Sequence, residues 1–166
     1  NQSVKPLMLV GQGVELAGAR QELLALCEKA QIPFGQTMLG LSAAPTGHPL
    51  NMGMLGMHGN LAPNVMTNQC DLLIAVGMRF DDRVTGDLHT YAKQAKVIHF
   101  EIDPSEVGKI VKPTVAVLGN CKQTLAQVTE LVEPARHQAW IDGSKPYAEK
   151  EYNKVIDAAL NPKDGP

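Results

Sequence analysis

Arg79, Asp81, Asp82 and Arg83 follow directly on the apolar run Leu72-Leu73-Ile74-Ala75-Val76-Gly77. Guanidinium groups grip phosphates and carboxylates through paired hydrogen bonds. Two of them just past a buried strand therefore suit an anionic ligand such as a diphosphate. The same four residues could instead neutralise one another as a solvated salt-bridge cluster. Glu101-Ile102-Asp103-Pro104 ends another apolar run, where an acid can accept hydrogen bonds from a ribose or ribityl hydroxyl. Asp103 before Pro104, with Glu106 following, also reads as a helix start, which leaves Glu101 as the better ligand. Gly11-Gln12-Gly13 closes the first apolar run. Its glycines let a backbone approach a phosphate at a helix N-terminus, or simply make a strand-to-helix turn. The dinucleotide fingerprint G-x-G-x-x-G fails, because Leu16 stands where its last glycine belongs. Met52, Met54 and Met57 alternate with Gly53, Leu55 and Gly56 ahead of His58; such soft side chains can line a groove for a flat ring or pack on their own core. Asn120 after Gly119 serves equally as an N-cap or a ligand contact.

The elements that must position these groups alternate in type. Leu7–Val10, Ile32–Thr37, Leu72–Val76, Lys96–Asp103 and Thr114–Gly119 read as strands. Val14–Ala30, Leu61–Gln69 and Cys121–Val132 read as helices, and 40–59 as a long loop of the kind that carries function. Strands alternating with helices imply an α/β, three-layer Rossmann-like domain with a parallel, doubly wound sheet. Its ligands belong beyond the carboxyl ends of the strands. We expect this domain over residues 1–133 and a connector over 134–166, helical in part around 135–140 and 147–160 and disordered from Asn161. Trp140 is expected to be a packing anchor.

With 166 residues and a net charge of −2, the chain offers no electrostatic case for nucleic acid or an anionic membrane. Cys27, Cys70 and Cys121 are widely spaced in apolar or helical patterns, as buried thiols of a reduced, cytoplasmic protein would be. His48, His58, His89 and His99 lack ligand spacing, so no metal site is expected. No run is long and apolar enough for a transmembrane helix. The chain opens on Asn1, a few residues before a strand, and is expected to be one domain of a longer protein.

Three strings, Met54-Leu55-Gly56-Met57-His58-Gly59, Gly77-Met78-Arg79-Phe80-Asp81-Asp82-Arg83-Val84-Thr85-Gly86 and His99-Phe100-Glu101-Ile102-Asp103-Pro104, resemble the central domain of acetohydroxyacid (acetolactate) synthase large subunits. The resemblance runs from about Pro6 to Val132. It implies a six-stranded parallel sheet that holds FAD in an extended form, with no redox part in the main reaction. FAD contacts are implied for Gly11, Gln12, Gly13, Thr37 and Met38. Leu55, Gly56, Met57 and His58 follow, then Gly77, Arg79, Asp81, Arg83 and Val84. Glu101 and Ile102 would lie near the ribose, and Asn120 near the adenine. Met57, Asp82 and Arg83 match positions that wall the substrate channel. The chain departs from the family at Gln12, in a turn where the family usually carries three glycines, and at Asn120, where it usually carries an acid.

The same resemblance implies an intact enzyme that condenses pyruvate with a second 2-keto acid in branched-chain amino-acid synthesis. Thiamine diphosphate and Mg2+ would be held by the N- and C-terminal domains of the same chain. No catalytic residue is expected here, and the fragment alone is expected to be inactive. The intact enzyme would be a homo-oligomer, with a regulatory small subunit as a further partner. Two other readings stay open: an FAD-free spacer domain of a related carboligase or decarboxylase, and a free-standing nucleotide-binding regulatory domain.

Overall fold

In the computed structural model, which describes residues 1–161, six strands pair into one sheet. They are β1 (Pro6–Val10), β2 (Phe34–Gln36), β3 (Asn51–Met54), β4 (Leu72–Val76), β5 (Lys96–Glu101) and β6 (Val115–Leu118). Every pairing is parallel, and the order is β3-β2-β1-β4-β5-β6. The α/β, Rossmann-like expectation holds. β1 and β4 lie at the centre and are buried almost throughout, which is why each reads as an unbroken apolar run rather than an alternating one.

Alternate residues of these strands feed two cores. Met8, Val10, Ile74, Val76 and Phe100 meet α2 (Arg20–Ala30) and α5 (Cys121–Leu131) on one face. Leu7, Leu9, Leu73, Ala75 and Val97 meet α3 (Leu61–Thr67), Tyr91, Ala92 and Trp140 on the other. The three cysteines are buried free thiols; burial holds the Cys70 thiol up at about 12.

Several elements depart from the sequence reading. The helix expected over 14–30 is broken into α1 (Gln12–Leu16) and α2. Gly18 adopts φ +60 between them, and Ala19 N–H reaches back to the Val14 carbonyl at 2.9 Å, so the apolar spacing straddles a break. The long loop 40–59 contains β3, hidden in sequence because Asn-Met-Gly-Met carries no β-branched or aromatic residue. α3 ends two residues early, at Thr67. No helix follows Asp103: its carboxylate accepts from Ser105 N–H at 2.8 Å and closes a turn. Hydrogen bonds from the Ser105 hydroxyl and N–H hold Asp103 below the usual carboxylate range. Gly108 at φ +73 and Pro113 leave too few residues to repay helix nucleation.

Beyond residue 133 the chain stays in contact with the domain. α6 (Gln138–Asp142) buries Trp140, whose indole donates to the Pro6 carbonyl at 2.8 Å. That is the anchoring role expected of it. α7 (Lys145–Glu151) follows, then a wider-wound stretch Tyr152–Ile156 and a last turn, Asp157–Leu160. The disorder expected from Asn161 falls, from 162 on, outside the described residues. No helix among the described residues is long and apolar enough to cross a membrane.

Candidate ligand-binding cleft

The strand order reverses between β1 and β4. Loops leaving the two strands on either side of such a reversal diverge and open a crevice at the carboxyl edge. A cleft of about 820 Å³ lies there, toward the upper end of the range for small-molecule sites. The loops after β1, β2, β3, β4, β5 and β6 all reach it.

Its floor is backbone against backbone. A Cβ on Gly11 would stand 2.2 Å from the Gly77 carbonyl oxygen, and one on Gly13 would stand 2.6 Å from Gly77 Cα. Gly11 N–H donates to the Val76 carbonyl and Gly13 N–H to the Gly77 carbonyl, both at 2.9 Å. Gly77, at φ +55, in turn donates to the Phe100 carbonyl at 2.9 Å. These glycines bind three strand ends together, and their N–H groups are spent in doing so. Below them His99 is fully buried. Its Nε2 lies 3.0 Å from the Met78 carbonyl and its ring meets Phe80 edge-on at 5.2 Å.

Charged groups rise from this floor. Asp81 is the N-cap of α4 (Asp82–Thr85); its carboxylate accepts from Arg83 and Val84 N–H at 3.1 and 3.2 Å. Asp82 pairs with Arg83 only at 3.7 Å, with both side chains at least 80% exposed. Arg79 is exposed and makes no ion pair among the described residues. Arg79 thus has no internal counter-ion among the described residues and the Arg83 pair is long and solvent-screened, so both guanidinium groups stay accessible to a ligand. Across the floor Glu101 is largely buried. One of its oxygens accepts from Ile102 and Asp103 N–H at 2.8 and 3.2 Å, and the other lies 3.7 Å from His99 Nε2.

Of the residues proposed from sequence for the cofactor, all but Gly11 and Gly56 line the cleft. Gly11 lies beneath it, and Gly56 is set back because a Cβ there would meet the Arg83 carbonyl at 2.6 Å. Asp82, one of the three proposed channel residues, does not line the cleft and is 85% exposed; Met57 and Arg83 line it. Asn120 lines it and also caps α5 through Lys122 N–H at 2.9 Å, so the N-cap reading holds and the residue still faces the cleft. Beside the arginines the rim is apolar: Met38, Met57 and Ile102 are each more than 60% exposed.

Leu16, Leu39, Met78, Phe100 and Cys121 also line the cleft and escaped the sequence reading, whereas Met54 lines it as its loop composition suggested. Leu16 counted toward the face of one long helix. The break at Gly18 instead leaves it 77% exposed on the rim, and Gly18 itself was the available signal. Cys121 donates to the Gly13 carbonyl at 3.4 Å, and burial pushes its thiol up, so it is a neutral wall rather than a nucleophile.

The model for the central domain of thiamine pyrophosphate enzymes matches residues 1–128. A probable acetolactate synthase large subunit from Methanocaldococcus jannaschii is 47% identical over 124 residues, 75% of this chain and 21% of its own length. The acetolactate synthase large subunit of Parasynechococcus marenigrum is 47% identical over 146 residues, 85% of this chain and 24% of its own. The isozyme 1 large subunit of Escherichia coli is 43% identical over 140 residues, 84% and 25%. The chain therefore spans about a quarter of the length of these relatives. Matched over most of its length and folded around an open strand-end cleft, the chain belongs to the thiamine pyrophosphate enzyme family, as a central domain.

Proposed function

We propose that this chain is the central domain of an acetolactate synthase large subunit, and that its cleft holds FAD in an extended form. The observation that carries the reading is the cleft itself. It runs across the strand reversal and is lined by the Arg79 guanidinium, unpaired among the described residues, the weakly paired Arg83 guanidinium and the Glu101 carboxylate. That donor set suits a diphosphate flanked by hydroxyl-bearing sugars. The methionine and leucine rim suits a flat, apolar ring system. The flavin supplies bulk and position here, not electrons. Arg79 and Arg83 would meet the diphosphate, Glu101 the hydroxyls, and Met57 and His58 the ring. Met57 and Arg83 would also wall the path of the 2-keto acid; Asp82, exposed and outside the cleft lining, would act through a surface from outside this domain.

The whole protein would be a cytoplasmic homo-oligomer with a regulatory small subunit. It would condense pyruvate with a second 2-keto acid on the route to branched-chain amino acids. Thiamine diphosphate and Mg2+ would sit on the domains before and after this one, so this chain alone would make no acetolactate.

One observation favours the second reading, an FAD-free spacer. Gly11 and Gly13 spend their N–H groups on Val76 and Gly77 and offer no phosphate cradle. Titration of the purified chain with FAD, followed by flavin fluorescence and thermal shift, separates the two. Saturable binding weakened by Arg79→Ala supports the flavin domain. A folded chain that neither binds FAD nor gains thermal stability from it overturns that assignment in favour of the spacer.

A further inference from the structure

α3 begins at Leu61, and its N-cap residue Asn60 does not cap it: the Asn60 side-chain oxygen accepts from Met54 N–H at 2.8 Å instead. The first-turn N–H groups of a helix need acceptors, and Pro63 removes one of them outright. The acceptor comes from ninety residues away. Glu151, at the end of α7, accepts from Leu61 N–H at 3.0 Å with one carboxylate oxygen and from the Asn60 side-chain amide at 3.3 Å with the other.

Asn60 is thereby held at both ends, and what it holds is the cleft wall. Its own N–H reaches the Met54 carbonyl at 2.6 Å. Gly53, at φ +100, is where a Cβ would stand 2.3 Å from the Asn60 side-chain oxygen, so the fit admits no larger residue. Asn64, one turn into α3, continues the lattice by bonding Gly56 N–H at 2.8 Å and the Gly56 carbonyl at 2.9 Å. Met54, Leu55, Met57 and His58, all on the cleft, hang from these bonds. The same tail also touches β3, the strand that leads into this wall, through the Ser144 hydroxyl on the Met52 sulfur at 3.4 Å. The matched family segment ends at residue 128, so this brace comes from outside it.

We propose that Glu151 is a positioning residue: through it the tail helix α7 caps α3 and holds the 54–60 wall of the cleft in its ligand-ready shape. The tail is then a lever on the site, and anything that lifts α7 off α3 loosens the wall. Linkage makes the effect reciprocal: a ligand that orders the wall tightens the docking of α7. This second consequence rests on the cleft being the flavin site proposed above; the brace itself does not.

Amide hydrogen exchange on the unliganded 166-residue chain tests the brace without any flavin. Glu151→Ala should speed exchange across 54–61 by about fivefold, the effect of losing one helix cap, and leave β1 and β4 unchanged. Glu151→Gln, which keeps an acceptor oxygen, should restore most of the protection. Glu149→Ala, an exposed neighbour on the same helix, should alter nothing. FAD titration of the same proteins gives the second readout: Glu151→Ala should weaken binding several-fold, while saturating FAD slows exchange in 145–151 of the unsubstituted chain. Unchanged exchange at 54–61 in a folded Glu151→Ala protein overturns the brace. Faster exchange there, in a chain that binds no FAD, upholds the brace and removes only the flavin reading. Faster exchange with FAD affinity unaltered removes the lever while leaving the cap.

Discussion

The floor and the rim of the cleft are built on opposite terms. At the floor Gly11, Gly13 and Gly77 touch with no room for a Cβ, and their N–H groups are bonded to the Val76, Gly77 and Phe100 carbonyls. At the rim Arg79, Arg83, Met57 and Ile102 stand out into solvent with few or no partners. A residue that packs the floor holds strand ends together and cannot be spared by the fold. A residue on the rim does little for folding, and its type needs another reason. The glycines that look most like a phosphate loop in sequence belong to the first group, and the arginines that look like surface charge belong to the second.

The sharpest way to break this division is at the floor. Gly11→Ala places a methyl group against the Gly77 carbonyl and the Met78 backbone. Overpacking of this kind costs about 3 kcal/mol, which for a chain of this size lowers Tm by roughly 6–12 °C. Calorimetry should show that loss with or without any nucleotide. A Tm within a degree of the parent would mean the strand ends can part freely, and the floor would be no floor.

The rim makes the converse prediction. Arg79→Ala should leave Tm within about a degree, since an exposed, unpaired side chain adds little to stability. FAD affinity should nevertheless fall about tenfold or more, the usual worth of a hydrogen bond to a charged group. In the intact protein Arg83→Ala should likewise lower synthase activity far more than stability. Parallel losses of stability and function in either variant would put the arginines with the glycines.

The same division between floor and rim decides which parts of the molecule are legible in the sequence. β1 and β4 were plain because strands buried on both faces read as apolar runs, and the charges after β4 marked the edge where the cleft opens. β3 was invisible because an edge strand of Asn, Met and Gly carries neither alternation nor β-branched residues. Leu16 was misassigned because helical spacing says nothing about a left-handed glycine two residues on. The Asp103-Pro104 signal was genuine for a turn but had no room for a helix. Glu151 had no local signal at all, since the helix it caps lies ninety residues earlier.

Between floor and rim stands Asp81, which does one job for each. Its carboxylate caps α4, and α4 carries Arg83 to the cleft. Asp81→Ala should cost about 1 kcal/mol, as loss of an N-cap does, with faster amide exchange confined to 82–86 and to Met57. Met57 is included because its N–H donates to the Arg83 carbonyl at 2.7 Å. Asp81→Asn, which keeps a capping oxygen, should recover most of it. If Asp81→Ala instead weakened FAD binding with no change in exchange, its carboxylate would be a ligand contact in its own right.

The smallest expected effect is the most discriminating about the rim. Asp82 and Arg83 are the one carboxylate–guanidinium pair in the cluster, 3.7 Å apart and almost wholly exposed. At that exposure solvent and salt screen the attraction, so a double-mutant cycle on stability should return a coupling below about 0.5 kcal/mol. A coupling that small leaves the Arg83 guanidinium at no cost to a ligand's anionic group, as the rim reading needs. A coupling above about 1 kcal/mol would mean that Asp82 already holds it. Arg83 would then have to break an internal pair before it met any ligand, and Arg79 alone would be the open cation of the cleft.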